Sequence, residues 1–364
     1  MWRPDLARAG RRASAWLRRP SLRHLSLRHL SLRHLSLRRP VLRRPVLRRP
    51  GDGWPTIVAT LLGLAALAVA LLGLLAHELS TEWQPLVIAA ALAHTLMFGA
   101  PIAVVLLALA RRPTAALAVV ALVLVAVIEV PQHISDTRTA SGPRLTALQA
   151  NLRLGSADPA ALVANVRAHD VDVLTTEEIT GAERDRLVTA GLAAQLPYDF
   201  DGTAAGAGGV MIWSRYPLSE KVVHHGFQLG VLSATVTIGA QRFTIVVAHM
   251  ASPYPYPADG WAGELAKLRK IMAGLATRDV VVGGDFNATV DNAQLRSLLT
   301  GGYRDAAESS GAGYLATYPA DTWYPPLIGI DHLLLRHVDA SAVSTVALPG
   351  SDHRGLLVHL RIAD

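Results

Sequence analysis

Side chains suited to chemistry follow a short apolar run near residue 280. Three consecutive valines at residues 280–282 lead into two glycines and then into Asp285, Phe286 and Asn287. A β-branched run predicts a buried strand, and paired glycines predict a tight turn of the backbone. Polar side chains at the end of a buried strand are where α/β folds usually keep their chemistry. Because Asp and Asn are also common turn formers, this stretch alone leaves an ordinary turn and a functional site equally open.

Further polar side chains stand at the ends of other predicted strands. Each has an ordinary explanation, since Asn caps turns, Glu begins helices and His fills cores. All of them in one chain are improbable as a set of turns. Carboxylates, carboxamides and imidazoles suit Mg²⁺, Mn²⁺ or Ca²⁺, and the chain has no cysteine, which excludes thiolate metal sites and a Cys nucleophile. The candidates are Asn151, Glu178, His249, Asp285, Asn287, Asp331, Asp352 and His353.

The elements that must position these residues begin at about residue 142, where the composition becomes that of a globular α/β domain. Asp158 followed by Pro159 predicts the start of a helix, as does the capping box at Thr180. Many strands with few interleaved helices indicate an α/β sandwich rather than a strictly alternating βαβ fold. Helices are predicted at residues 159–169, 180–194, 258–275 and 291–299. Strands are predicted at residues 144–152, 171–175, 209–213, 231–238, 242–249, 279–284, 330–335, 342–348 and 355–362.

Three apolar segments precede this domain, at residues 56–76, 86–110 and 114–128. Their lengths suit membrane spans of about 20 residues, and Pro101 interrupts the second only mildly. Buried core helices are the alternative, but three such segments in succession favour a membrane. The first segment begins too far from the N-terminus for a cleavable signal peptide. We therefore predict a three-helix transmembrane region at 56–130, a linker at 131–142 and a catalytic domain at 143–364.

Charge is distributed unevenly along the chain. Residues 1–55 carry a net charge of +13 and the remainder −6, so the sequence pI of about 10.0 describes the tail alone. Residues 21–50 repeat with a period of five, which fits neither a helix nor a strand. We predict a disordered, solvated basic tail at residues 1–55, with binding to an anionic membrane surface as the alternative.

The arginines also predict an orientation. The basic tail and the short loop with Arg111 and Arg112 are expected in the cytoplasm, because positive charge is retained there. Three spans then place the catalytic domain outside the cytoplasm. The predicted location is the cell membrane, as a multi-pass protein.

The motif Gly-Asp-Phe-Asn-Ala at residues 284–288, together with Ser-Asp-His at residues 351–353, resembles the endonuclease/exonuclease/phosphatase superfamily, the pancreatic-deoxyribonuclease-like phosphoesterases. The resemblance covers roughly residues 145–362, and the membrane-anchored layout resembles actinobacterial members. It implies an α/β fold, a four-layer sandwich of two packed β-sheets flanked by helices. Two departures are Glu177, where a Gln is usual, and Ala-His-Met at residues 248–250 in place of Thr-His-Leu. The first creates adjacent carboxylates that would alter metal preference.

The resemblance also implies roles for the site residues. Asn151, Glu178 and Asp352 correspond to metal-binding positions, with Glu178 the principal ligand. His249 and Asn287 correspond to phosphate-binding residues. Asp285 corresponds to the residue that orients or deprotonates the attacking water.

Asp331 corresponds to the partner of His353, which stabilises the pentacovalent phosphorus. The cofactor implied is Mg²⁺, with Mn²⁺ or Ca²⁺ as alternatives. Such a site hydrolyses a phosphodiester by in-line attack of water.

The resemblance implies a nuclease-like activity on a phosphodiester. The first alternative substrate is a phospholipid or an inositol phosphate. The second is a membrane-bound binding protein of the same fold that has lost catalysis. From residue 143 onward the net charge is −5, which lowers the expectation of a tight grip on long DNA. The aromatic stretch at residues 254–257 is interpreted as a rigid surface loop, with an interfacial loop as the alternative. No feature indicates an obligate protein partner.

Overall fold

The computed structural model of the chain describes residues 53–135 and 141–363. The prediction of a disordered tail therefore falls almost wholly outside the described residues, and so does the middle of the predicted linker.

Twelve strands within residues 141–363 form two six-stranded sheets. The first contains, in spatial order, β11 (Val338–Val346), β12 (Gly355–Ile362), β1 (Arg144–Asn151), β2 (Val173–Glu177), β4 (Val210–Ser214) and β3 (Tyr198–Gly202). The second contains β5 (Leu218–Val223), β6 (Val231–Ile238), β7 (Gln241–His249), β8 (Val280–Asp285), β10 (Asp331–Arg336) and β9 (Tyr303–Asp305). Each described sheet has one parallel pair, β1 with β2 and β7 with β8, among antiparallel neighbours.

The sheets pack face to face, and helices cover their outer faces. On β7, Ile245 and Val247 face the core between the sheets, whereas Val246 and Ala248 face helix α9 (Ala258–Gly274). Alternate side chains point to opposite faces of a strand, so a strand buried on both faces is apolar throughout. Helices α6 (Pro159–Ala168) and α7 (Gly181–Thr189) cover the other sheet. The predicted packing of two sheets with flanking helices is confirmed.

Most predicted elements are present, and the misses have a common cause. The capping of α6 is confirmed, because the Asp158 side chain accepts from the backbone N–H groups of residues 160 and 161. Strands β3, β5 and β9 were not predicted, since β3 and β5 are largely exposed edge strands without a clear apolar pattern and β9 is only three residues long. The helix predicted at 180–194 divides at Gly191, which has φ of 99°, into α7 and α8 (Leu192–Gln195). The helix predicted at 291–299 is only α10 (Ala293–Arg296).

The paired glycines form no turn, contrary to the prediction. Both lie inside β8, and a Cβ on Gly284 would stand 1.9 Å from the carbonyl oxygen of Ala248 on β7. The glycine therefore permits close approach of two parallel strands. The backbone turns later, at Asn287, where φ is 48°.

Residues 53–135 form the apolar helices α1 (Trp54–Glu78), α2 (Gln84–Ala91), α3 (Ala93–Met97), α4 (Gly99–Leu109) and α5 (Ala115–Glu129). Two of the described helical segments, Trp54–Glu78 and Ala115–His133, are long and apolar enough to cross a membrane. The segment between them is bent by 70° at the break after α2, so there are two candidate spans, or three if the bent pair counts as one. The mild interruption predicted at Pro101, beside Gly99, is present: α3 ends at Met97, α4 begins at Gly99, and Pro101 lies in the first turn of α4. The sharp bend, which was not predicted, lies at Leu92.

Polar contacts join the helices to the sandwich. Asp291 lies 2.7 Å from Nδ1 of His77 at the end of α1, and it accepts a hydrogen bond from the backbone N–H of His94 on α3. Near the start of α1, Nε of Arg112 donates to Oγ1 of Thr60 at 3.0 Å. The sandwich and the arginine loop therefore lie at opposite ends of α1.

Candidate active site

The carboxyl ends of the two parallel pairs meet at one edge of the sandwich. Asn151 ends β1, and Glu178 follows β2 directly. In the other sheet His249 ends β7 and Asp285 ends β8, opposite each other in register. Because the strands of a parallel pair end at the same edge of their sheet, the side chains that close them lie near one another.

Asp285 lies at the centre of this group. Its Oδ1 accepts a hydrogen bond from the backbone N–H of Asn287 at 2.9 Å, and its Oδ2 accepts one from Nδ2 of Asn151 at 3.1 Å. Nε2 of His249 and Nε2 of His353 lie 3.6 and 3.7 Å from the same Oδ2. Burial raises the pKa of Asp285 to about 7, against the opposing charge of His353.

His353 stands just before β12 and pairs with Asp331 at the start of β10. Its Nδ1 donates to Oδ2 of Asp331 at 2.9 Å. Burial acts to lower the pKa of His353, but the carboxylates of Asp331 and Asp285 outweigh it and raise the pKa to about 10. Burial also acts to raise the pKa of Asp331, yet the His353 charge and hydrogen bond leave it lowered. At neutral pH His353 is therefore a cation whose Nε2–H points toward Asp285.

His249 is held in the opposite protonation state. Its Nδ1 donates to the carbonyl oxygen of Ala207 at 3.1 Å, so Nε2 faces Glu178, 4.0 Å away, and Asp285. Burial lowers the pKa of His249, and this exceeds the opposing effect of the Glu178 charge. The site thus combines a neutral and a charged imidazole on either side of one carboxyl group.

Two buried residues, Gln149 and Glu177, lie behind the site; the sequence predicted no role there for Gln149 and placed Glu177 beside Glu178 instead. Nε2 of Gln149 donates both to Oδ1 of Asp331 at 2.7 Å and to Oε2 of Glu177 at 2.8 Å. Burial raises the pKa of Glu177 well above its ordinary range. Glu177 therefore faces the interior beside Gln149, and the expected pairing of its carboxylate with that of Glu178 does not occur. The available signal was Gln149 itself, a polar residue two positions before Asn151 and so on the same face of β1.

Of the predicted metal-binding residues, Glu178 and Asp352 line the cavity and Asn151 is buried behind them. Oε2 of Glu178 accepts from the backbone N–H of Leu154 at 2.9 Å, and Oε1 accepts from Nδ2 of Asn151 at 3.3 Å. Oδ2 of Asp352 lies 3.8 Å from Nε of Arg153. These oxygen donors fit a hard divalent cation such as Mg²⁺, Mn²⁺ or Ca²⁺.

A second group, not the predicted metal set, has ligand atoms within 4.8 Å of one another among the described residues: Asp285, Asp331 and His353. Both oxygens of Asp331 already accept hydrogen bonds, and Nδ1 of His353 is already a donor. These hydrogen bonds explain why the three side chains lie so close together.

Tyr318 and Ser351 complete the surroundings of His353. The ring of Tyr318 lies 4.9 Å from the imidazole, centroid to centroid. Oγ of Ser351 donates to the carbonyl oxygen of Asn151 and accepts from the backbone N–H of His353. The serine thus ties the end of β1 to the loop that carries the histidine.

The site opens into a cavity of about 650 Å³. Asn151 and Asp331 stand behind its surface and support the residues that line it. One side, here called the polar wall, consists of Glu178, His249, Asp285, Asn287, Asp352 and His353. Another part of the lining, here called the apolar wall, consists of Val87, Ile88, Ala91 and Leu92 from α2 and the break after it.

The sequence profile of the Endonuclease/Exonuclease/phosphatase family matches residues 148–353, which span both parallel pairs and the site. The chain belongs to this family and is a metal-dependent hydrolase of phosphate ester bonds.

Solved structures with the same fold include D. rerio TDP2 complexed with a single-strand DNA product, with 19% identity, a TM-score of 0.52, and 60% of this chain and 99% of that chain covered. An endonuclease/exonuclease/phosphatase from Beutenbergia cavernae has 17% identity and a TM-score of 0.48 over 60% and 72% of the two chains. Sphingomyelinase C from Streptomyces griseocarneus has 18% identity and a TM-score of 0.42 over 61% and 100%. No curated protein matches the chain in sequence.

Proposed function

We propose that the chain is a membrane-held phosphodiesterase in which water attacks phosphorus in line with the departing alcohol. The observation that carries this proposal is the position of Asp285 Oδ2, within 3.7 Å of the Nε2 atoms of both His249 and His353. A carboxyl group with a pKa of about 7 is suited to take a proton from water near neutral pH.

The charges of the two histidines match the needs of a phosphate. Protonated His353 donates from Nε2 to a non-bridging oxygen, where negative charge grows as the new bond forms. Asp331 keeps His353 charged and oriented. Neutral His249 gains a proton more readily once an anionic phosphate lies beside it, and Asn287 adds an amide at the same surface.

We assign metal binding to Asn151, Glu178 and Asp352. A bound divalent cation, Mg²⁺ in first place, would act as a Lewis acid and template on a phosphate oxygen. Glu178 is the principal ligand, because its carboxylate lines the polar wall while Asn151 fixes its direction.

The proposed orientation places the catalytic domain outside the cytoplasm, with the helices as a three-span anchor at residues 56–130. The position of Arg112 at the end of α1 opposite the sandwich supports it, because basic loops are retained in the cytoplasm. A phosphatase reporter fused after Asp364 would be active only in that orientation. If a reporter that works only in the cytoplasm were active at the same position, the proposed orientation would be overturned.

The proposed chemistry is tested with the full chain purified in dodecyl maltoside. Bis-p-nitrophenyl phosphate should be hydrolysed only with added Mg²⁺, Mn²⁺ or Ca²⁺, and chelation should abolish turnover reversibly. Glu178→Ala should remove activity, while Glu82→Ala, in the exposed loop before α2, should keep it. No turnover with any of the three cations would favour the binding-protein alternative.

A panel of natural phosphodiesters, assayed under the same conditions, would identify the substrate. It should include single-stranded DNA, because one structure of the same fold holds a DNA product. Phosphoinositides cover the inositol phosphate alternative.

A further inference from the structure

We propose that the apolar wall receives the hydrocarbon chain of a membrane lipid whose phosphodiester lies against the polar wall. This inference rests on the proposed function, since it names the substrate class of the same site. It commits to a lipid held in the bilayer rather than a nucleic acid.

The apolar wall is a fixed part of the catalytic cavity. Val87 is buried in the same apolar cluster as Trp261 and Phe286 of the sandwich. Nε2 of Gln84 donates to the carbonyl oxygens of Pro253 and Tyr256, at 2.7 and 2.8 Å. Nδ2 of Asn292 donates to the carbonyl oxygen of Val87. These bonds fix the first half of α2, from Gln84 to Val87, against the sandwich beside the site.

The composition of the cavity matches an amphiphile. Helix α2 contains no charged residue, and Ile88, which lines the cavity, is 37% exposed. Among the described residues of the lining, none is a lysine or an arginine. A strand of nucleic acid carries a charge on every nucleotide and is ordinarily held by such side chains. The lining offers one place for a phosphate and an uncharged surface beside it.

The apolar wall is continuous with the helices that could cross a membrane. Leu92 is the break between α2 and α3, and exposed side chains follow at Phe98, just before α4, and at Ile102 within it. Exposed aromatic residues lie next to the apolar wall: Tyr254 and Tyr256, 66% and 55% exposed, line the cavity, and Trp83, 63% exposed, directly precedes α2. Such residues are enriched where protein meets the membrane surface. A lipid chain could therefore pass from the bilayer along α4 to α2 without crossing water.

The reaction at the polar wall is then hydrolysis of a lipid phosphodiester. The oxygen of water forms a bond to phosphorus, and its proton passes to Asp285. The P–O bond to the departing alcohol breaks, and that oxygen takes up a proton. One water is consumed, and the products are a phosphate monoester and an alcohol.

Chromogenic diesters that differ only in the alkyl group test the inference. The full chain in dodecyl maltoside, which contains no phosphate, is assayed with methyl, butyl and hexyl p-nitrophenyl phosphate below their micellar concentrations. A fully buried methylene raises kcat/KM by roughly three- to fourfold. We expect the hexyl diester to exceed the methyl diester by about tenfold or more.

Ile88→Asn should reduce this hexyl-to-methyl ratio by at least about threefold, the contribution of one methylene. Ile57→Asn is the matched control, because it places the same polar group on an isoleucine of similar exposure in the first turn of α1, at the end away from the sandwich. It should leave the ratio unchanged.

The outcomes separate the two proposals. Equal kcat/KM for all three diesters in the unmodified chain would overturn the lipid inference and leave the phosphodiesterase standing. The same holds if Ile57→Asn lowers the ratio as much as Ile88→Asn, or if a single-stranded oligonucleotide is a better substrate than the hexyl diester. Turnover of no diester with any of the three cations would overturn the proposed function and the inference with it.

Discussion

The polar wall and the apolar wall are built by different parts of the chain and by different physical means. The polar wall comes from strand ends of both sheets, and its key groups are oriented by hydrogen bonds, as Asp285 is by Asn151 and Asn287. The apolar wall comes from one helix and the break after it. Hydrogen bonds from Gln84 at its start and to the carbonyl oxygen of Val87 hold the helix, and apolar side chains line the cavity. The rate of the reaction should therefore depend on the placement of charges in the polar wall, whereas the choice of substrate should depend on the apolar surface of the other wall. Substitutions in the two walls should have separable effects.

The largest effect is expected from Asp285→Asn. The amide keeps the shape but can neither take a proton nor balance the charge of His353, so kcat on bis-p-nitrophenyl phosphate should fall by roughly 10² to 10⁴. The loss should be equal for short and long alkyl diesters, because the apolar wall is untouched.

Asp259→Asn, an exposed aspartate at the start of α9, serves as the control and should retain full activity. A loss below about tenfold in Asp285→Asn would show that another group positions the water.

A smaller effect with a distinct pH signature is expected from Asp331→Asn. In the unmodified protein Asp331 and Asp285 raise the pKa of His353 to about 10. Activity that requires the His353 cation is present below that pKa and is lost as pH rises through it. Removing one carboxylate lowers the pKa, so the alkaline limb of kcat/KM should move to lower pH.

The measurement is a pH profile of both proteins from pH 6 to 11 with the soluble diester. Asp259→Asn should leave the limb in place. An unchanged limb in Asp331→Asn would mean that the histidine charge does not limit the reaction.

Most residues of the polar wall could be predicted from the sequence, whereas the apolar wall could not. Residues 280–285 were identifiable as a strand because a doubly buried strand is apolar on both faces, and Asp285 was identifiable because it ends that strand. The role of Gln149 and the inward position of Glu177 were not predicted, because alternation along a strand places a residue on one face but does not show what packs against that face. Only the packing of β1 against β2 and β10 brings Gln149 to Asp331 and Glu177 together.

The apolar wall was beyond sequence reasoning for a similar reason. The segment at residues 86–110 has the composition of one continuous span, and Pro101 was its only evident interruption. The sharpest bend instead follows α2, because Gln84 and Val87 form hydrogen bonds with the sandwich residues Pro253 and Asn292, more than 160 positions further along the chain. Such long-range contacts override the local pattern.

A moderate effect, confined to the apolar wall, is expected from Asp291→Ala. This carboxylate joins α1 and α3 to the sandwich through His77 and the backbone of His94. Losing a buried hydrogen bond to a charged group costs about 1–3 kcal/mol, which loosens α2 against the cavity. The hexyl-to-methyl ratio should fall by a few fold.

The methyl diester should be hydrolysed within about twofold of the original rate, because the polar wall needs no contact with the helices. Glu82→Ala, exposed at the same end of the helices, should change neither rate. Equal losses for both diesters would show that the two walls are coupled.

The smallest effect is expected from Glu177→Gln. Full burial raises the pKa of Glu177 well above its ordinary range, which favours the neutral form of its carboxyl group. A glutamine matches a neutral glutamic acid in shape and keeps an oxygen for Nε2 of Gln149, so kcat should stay within about threefold. Glu177→Ala instead leaves that donor without its acceptor and opens a cavity, and should lower the free energy of unfolding by about 2–4 kcal/mol. Thermal unfolding in dodecyl maltoside together with kcat separates these cases. If Glu177→Gln were as damaging as Glu177→Ala, the residue would have to act as a charge, and the polar wall would extend one layer deeper into the sandwich.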